Sequence, residues 1–168
     1  KAKAEERGFD KETPKDTGLL LGEELGELAR AIRKYSGIKI DSKTPVYAIE
    51  EELADVFIYL LHLSNILGID LENIGIKEFY EHKAKDFNFS GRTAQDMMLE
   101  LFKENGKLAE VIFNYTGGNF DDQLLISKIK ERIEMILINI LWITTILNVD
   151  LEKSFWKKEE ENNKRKWN

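Results

Sequence analysis

Cysteine is absent from the 168-residue sequence. Its absence removes disulfides, thiolate metal sites and cysteine nucleophiles together, and suits a reducing cytoplasm. Histidine is nearly absent: His62 and His82 are isolated and read as surface or satisfied residues rather than ligands. A basic excess is missing too. Lys and Arg number 25 against 31 Asp and Glu, a net charge of -6, so no field invites a nucleic acid. Long apolar runs are lacking. The longest, Met135 to Ile143, falls well short of the roughly 20 residues that span a bilayer and reads as a buried core helix. The opening Lys1-Ala2-Lys3-Ala4-Glu5-Glu6 mixes charges and does not read as a signal peptide. The expectation is a cytoplasmic protein with neither membrane nor nucleic acid as partner.

What is present fits one domain or two small ones, with 42% hydrophobic and 33% charged residues. The only two prolines each follow a threonine, at Thr13-Pro14 and Thr44-Pro45. A capping hydroxyl followed by proline is a helix start. The first helix is predicted from about Lys15 to Tyr35, and the second from Thr44-Pro45 to about Leu67, with Gly68 as the left-handed stop. Asp70 caps a third helix ending near Asp86. Residues 87–92 read as a linker. Thr93, with Asp96 three residues on, opens a fourth helix in capping-box style. A fifth spans about Asp121 to Leu147, and Asp150 caps a sixth. No stretch alternates as a strand, so the fold class is all-α.

The second half repeats the first. Ile66-Leu67-Gly68-Ile69-Asp70-Leu71-Glu72 matches Ile146-Leu147-Asn148-Val149-Asp150-Leu151-Glu152, an offset of 80 positions from Ile66 to Ile146. At the same offset Leu21 to Ala29 falls on Leu101 to Ala109 without a gap. Fixed-period self-similarity is the mark of duplication. The expected architecture is two three-helix repeats, residues 1–86 and 93–168, joined by the linker and packed as an intrachain pseudo-dimer. Helices one, two, four and five form its four-helix core.

The chemistry lies in two acidic pairs, Glu24/Glu27 and Glu52/Asp55. Positions i and i+3 share a helix face, and both pairs lie along apolar stripes. A carboxylate facing a core is costly unless it is paired or holds a metal. Four such oxygens suit Mg²⁺, which takes hard ligands in octahedral geometry and is shared with substrate phosphates. Glu23 and Glu51 are outer members, and a spare glutamate could act as general base. In the second half Glu27 becomes Lys107, Glu52 becomes Arg132 and Asp55 becomes Met135, while Glu104 keeps the place of Glu24. A merely solvated face has no reason to exchange its acids while the apolar pattern persists. A di-iron bundle would need Glu-x-x-His pairs, which the sequence lacks.

Arg7-Gly8-Phe9-Asp10, Gly22-Glu23-Glu24-Leu25-Gly26-Glu27, Glu51-Glu52-Leu53-Ala54-Asp55 and Leu67-Gly68-Ile69-Asp70-Leu71 together resemble the MazG-like nucleoside triphosphate pyrophosphohydrolases, whose signature is EExxE followed by ExxD. The resemblance covers residues 7–86, and the second half is similar in degenerate form. It implies Mg²⁺-dependent cleavage of a nucleoside triphosphate to monophosphate and pyrophosphate, with Mn²⁺ able to substitute. It implies that Glu24, Glu27, Glu52 and Asp55 are metal ligands and Glu23 an accessory ligand or water activator, all five in the catalytic set. Tyr59 matches a position near the substrate in some relatives. Relatives often end the third helix with Asn and basic residues, a pattern found in the second half at Asn163, Arg165 and Lys166 but not in the first. That suggests complementary decay, the second copy supplying these residues to the first copy's acids. Alternatives are a dUTPase or dCTP pyrophosphatase of the same fold, or a non-catalytic bundle. The expected assembly is a monomeric pseudo-dimer or a homodimer.

Overall fold

The computed structural model describes residues 9–41, 43, 46–71, 91–117 and 122–165. Among these residues there are five α-helices, one 3₁₀ turn at Phe9–Lys11, and no strand. The helices are α1 (Pro14–Tyr35), α2 (Ile49–Leu67), α3 (Ala94–Asn114), α4 (Asp122–Leu147) and α5 (Leu151–Asn162). The expected third helix and the linker after it fall almost entirely outside the described residues. No single described helix is long and apolar enough to cross a membrane.

The helix ends follow from local chemistry. Thr13 and Asp16 form a reciprocal capping box with Pro14 just inside α1, and Thr93 and Asp96 form the same box at α3. Asp150 caps α5 by accepting from the Lys153 N–H at 3.0 Å. Gly68 closes α2 at φ 66°, and Asn148 follows α4 at φ 53°, the left-handed turn that glycine and asparagine tolerate. The start of the second helix differs from expectation. It begins at Ile49 behind Ala48, which offers no side-chain cap. Glu50, Glu51 and Glu52 fill its first turn instead, where carboxylates meet the positive end of the helix dipole.

The chain divides into two compact units, one of residues 1–68 with 149–168 and one of residues 69–148. In the first, α2 packs against both α1 and α5; in the second, α3 packs against α4. The α1–α2 seam is built from Leu21, Leu25, Leu28 and Ile32 with Leu53, Val56, Leu60 and Leu63, all essentially inaccessible. The α3–α4 seam uses Leu101, Leu108 and Ile112 with Ile129, Ile133, Ile136, Ile140 and Ile143. Burying a side chain of this size stabilises by about 1.5–3 kcal/mol. Phe57 on α2 meets the edge of Phe155 on α5 with centroids 5.6 Å apart, and Trp156 stacks edge-on behind it at 5.0 Å. These rings fix α5 beside the first turns of α2.

Candidate metal and nucleotide site

Packing α1 against α2 brings together acids that are far apart in sequence. Glu24, Glu52 and Asp55 each present a carboxylate oxygen within 4.8 Å of the other two. Glu52 is 2% exposed and its Oε2 has no hydrogen-bond partner among the described residues. Glu24, Glu27 and Asp55 are half-buried. Glu27 is outside the tight triple, yet its charge pushes up the carboxyls of all three.

The electrostatics are those of a cradle short of positive charge. Burial, then repulsion from Asp55, Glu27 and Glu52, raises Glu24 to about 8. Burial, then Glu27 and Asp55, raises Glu52 to about 7. Burial also raises Asp55, although the Lys158 ammonium bonded to it and the charge of Arg165 oppose the shift. An orphaned buried oxygen among clustered hard oxygens fits an oxygen-seeking divalent cation, which would supply what the carboxylates lack. Neither sulfur nor imidazole belongs to the set, so a soft-metal site does not fit.

The remaining predicted residues distribute unevenly. Glu23 is exposed and its charge reaches Tyr59. Tyr59, one turn beyond Asp55, is half-buried. Burial and then the charges of Glu24, Glu12, Asp55 and Glu23 raise its hydroxyl to about 12. Arg165 is exposed and acts on Asp55. Asn163 is the C-cap of α5, its N–H bonding the Glu159 carbonyl at 3.0 Å. Lys166 lies outside the described residues.

Sequence reasoning missed two neighbours. Lys158 bonds Asp55, and Lys157 Nζ bonds Glu51 Oε1 at 2.9 Å, holding that carboxyl below its ordinary value. Asn162, one turn after Lys158, is 7% exposed with Oδ1 unpartnered among the described residues. Lys157 and Lys158 lie just before the basic-Asn tail and could be assigned to the acids only once α5 was docked on α2. Beyond Tyr59, His62 Nε2 lies 2.9 Å from Glu12 Oε2, and Phe9 meets the His62 ring edge-on at 6.2 Å.

The second unit repeats the geometry with opposite chemistry. Glu104 is 3% exposed, and its two oxygens take Lys107 Nζ at 2.8 Å and Arg132 Nη1 at 3.0 Å. Burial pushes this carboxyl up, but the bonds from Lys107 and Arg132 outweigh it and hold it low. Here side-chain cations occupy the ground that a metal would need.

Residues 12–81 match the family model of the MazG nucleotide pyrophosphohydrolase domain. No curated protein and no solved structure matches the chain significantly. Glu24, Glu27, Glu52 and Asp55 all lie within the matched segment, whereas α5 with its lysines lies beyond it. The likeness to the MazG nucleotide pyrophosphohydrolase domain therefore rests on residues 12–81, the segment that carries the clustered acids.

Proposed function

We propose that the protein is a Mg²⁺-dependent nucleoside triphosphate pyrophosphohydrolase, with Mn²⁺ able to substitute. It cleaves an NTP or dNTP between the α- and β-phosphates and serves to clean the cytoplasmic nucleotide pool. The observation that carries this is the triple of Glu24, Glu52 and Asp55 within 4.8 Å, inside a segment of the matching family. These three, with Glu27 beside them, are the metal ligands. The cation, when bound, neutralises phosphate charge and polarises the phosphorus under attack.

The chain's own residues do the rest. Lys157, Lys158 and Arg165 bring positive charge to the rim of the acids, Lys as a point charge and Arg as a planar fork, both suited to phosphate oxygens. Asn163 adds amide donors for phosphate, and the proposed role of Lys166 falls on a residue outside the described ones. Glu23 orients the attacking water. The water oxygen bonds to phosphorus, its proton passes to a carboxylate, and the bridging oxygen departs with pyrophosphate. Tyr59 and Phe9 flank the opposite end, where a base would lie.

The same reading includes an origin by duplication. Two capping boxes, two left-handed stops and two Glu-centred clusters recur at one offset, which supports a second copy that exchanged its metal ligands for Lys107 and Arg132. Incubation with each common NTP and dNTP, with Mg²⁺ or EDTA, tests the proposal. Monophosphate plus pyrophosphate, abolished by EDTA, is expected, and the accepted bases would separate a broad enzyme from a dUTPase or dCTP pyrophosphatase. Diphosphate plus orthophosphate would mean that a different bond is cut. No turnover with any nucleotide would point to a non-catalytic bundle.

A further inference from the structure

Two turns of α2 beyond Asp55 sits a carboxylate that the proposed reaction leaves unused. Glu12 Oε2 lies 2.9 Å from His62 Nε2, and both side chains are half-buried. A carboxylate only accepts, so Nε2 carries the hydrogen. Glu12 is also tied by its backbone, whose N–H donates to the Phe9 carbonyl at 3.3 Å. Phe9 in turn meets the His62 ring edge-on. Among the described residues the Glu12 carboxylate makes no other hydrogen bond. Its Oε1 is therefore an acceptor held in place and left open.

The pair shares a helix face with the acids. Asp55, Tyr59 and His62 stand at i, i+4 and i+7 of one continuous helix. The rise from Asp55 to His62 is about 10.5 Å, and Tyr59 stands between them. Its hydroxyl feels the charges of Glu24 and Asp55 on one side and of Glu12 on the other. The cations lie at the opposite end, where Lys157 bonds Glu51 and Lys158 bonds Asp55 near the start of α2. Phosphates drawn to those lysines leave the nucleoside to run along α2 towards His62, and a ribose with its base covers that distance.

We infer that Glu12, oriented by His62, reads the base and selects nucleotides whose base carries an exocyclic amino group. The inference rests on the nucleotide reading of the acidic site. Cytosine, adenine and guanine each offer an amino donor, and glutamate accepts from the N4 amino group of cytosine. Uracil and hypoxanthine place a carbonyl oxygen where cytosine and adenine carry that donor. Two acceptors then face one another with no hydrogen to share, which disfavours the keto base. A site built to hydrogen-bond one group rejects the analogue lacking it more strongly than an apolar pocket does. His62 is a positioning residue: it occupies one oxygen and thereby aims the other.

Isothermal titration of the full chain with Mg²⁺ and α,β-methylene nucleotides, whose α–β link resists hydrolysis, tests this apart from turnover. The CTP and UTP analogues form one amino–keto pair, and those of ATP and ITP form another. In at least one pair the amino member is expected to bind roughly tenfold tighter or more. Glu12→Gln still accepts from His62 but adds an amide donor, and is expected to bring that ratio close to one with unchanged circular dichroism. His62→Ala is expected to narrow it as well. Equal or keto-favouring affinity in wild type would overturn the inference. So would binding by neither pair, or an amino preference that survives Glu12→Gln. A failure to release pyrophosphate from CTP, UTP, ATP and ITP themselves would count against the proposed reaction alone, because the affinities are read without turnover.

Discussion

Replacing Glu52 by glutamine removes one charge from a cluster held no more than 4.8 Å across. Two unit charges at that separation repel by about 3.5 kcal/mol at an effective dielectric of ~20. Glu52 feels repulsion of this order from Asp55, Glu27 adds to it from outside the triple, and Lys158 cancels part of it. Its carboxyl, raised to about 7, is largely ionised at pH 8. Leaving a buried amide imperfectly bonded costs about 1 kcal/mol or more in return. The net expectation for metal-free protein at pH 8 is a gain of about 1–2 kcal/mol, a Tm higher by roughly 2–8 °C for a chain of this length. With Mg²⁺ the order reverses. Wild type gains Tm through ligation, whereas Glu52→Gln gains little and loses turnover by more than the roughly 10–100-fold typical of disturbing a ligand's supporting contacts. Thermal melts of both proteins with EDTA and with Mg²⁺, alongside a pyrophosphate-release assay, measure this. A variant no more stable than wild type in EDTA, yet stabilised equally by Mg²⁺, would refute the account of Glu52 as a strained ligand.

The raised carboxyls also predict a pH dependence. Glu24 and Glu52 bind protons in the folded state that the unfolded chain has released, so their contribution is full below about pH 4.5 and lost as pH rises through about 7 and 8; metal-free Tm should fall over this window, and Mg²⁺ affinity, by isothermal titration, should rise across it. Lys158→Met should raise KM for the nucleotide roughly tenfold or more, by loss of a charged hydrogen bond to phosphate, while binding of Mg²⁺ alone improves because Asp55 is no longer engaged. Arg132→Met leaves Glu104 with Lys107 and the more distant Lys103 and should cost about 1–3 kcal/mol, read by urea denaturation, with turnover per folded molecule unchanged. Lys157→Ala, which breaks a solvent-screened pair with Glu51, should leave the urea midpoint essentially unchanged.

The helices were legible because their signals are local. Thr13-Pro14, Thr93 to Asp96, Gly68 and Asp150 act within one turn, and the apolar spacing of α1 and α2 names the buried leucines directly. The acids were legible for the same reason, since i, i+3 spacing places each pair on one face and the apolar stripe says which face. Proximity between elements was harder to read. That α5 lies on α2 depends on contacts such as the T-shaped meeting of Phe57 and Phe155, and that packing brings Lys158 to Asp55. The start of α2 was misplaced because Thr44-Pro45 carries a strong cap signal, whereas three glutamates in the first turn stabilise a start at Ile49 without any cap.

The docking of α5 on α2 has a consequence for the order in which the site can form. Glu24, Glu52 and Asp55 are all synthesised in the first third of the chain, but the lysine that steadies Asp55 arrives about a hundred residues later. Until then a nascent first unit holds its carboxylates without that counter-charge, behind a loop whose closure is slow and entropically unfavourable. A divalent ion present during synthesis would fill the gap early, so the same cation that serves the reaction would also act as a folding aid. A chain stopped short of residue 150 would remain an acidic hairpin without its basic rim.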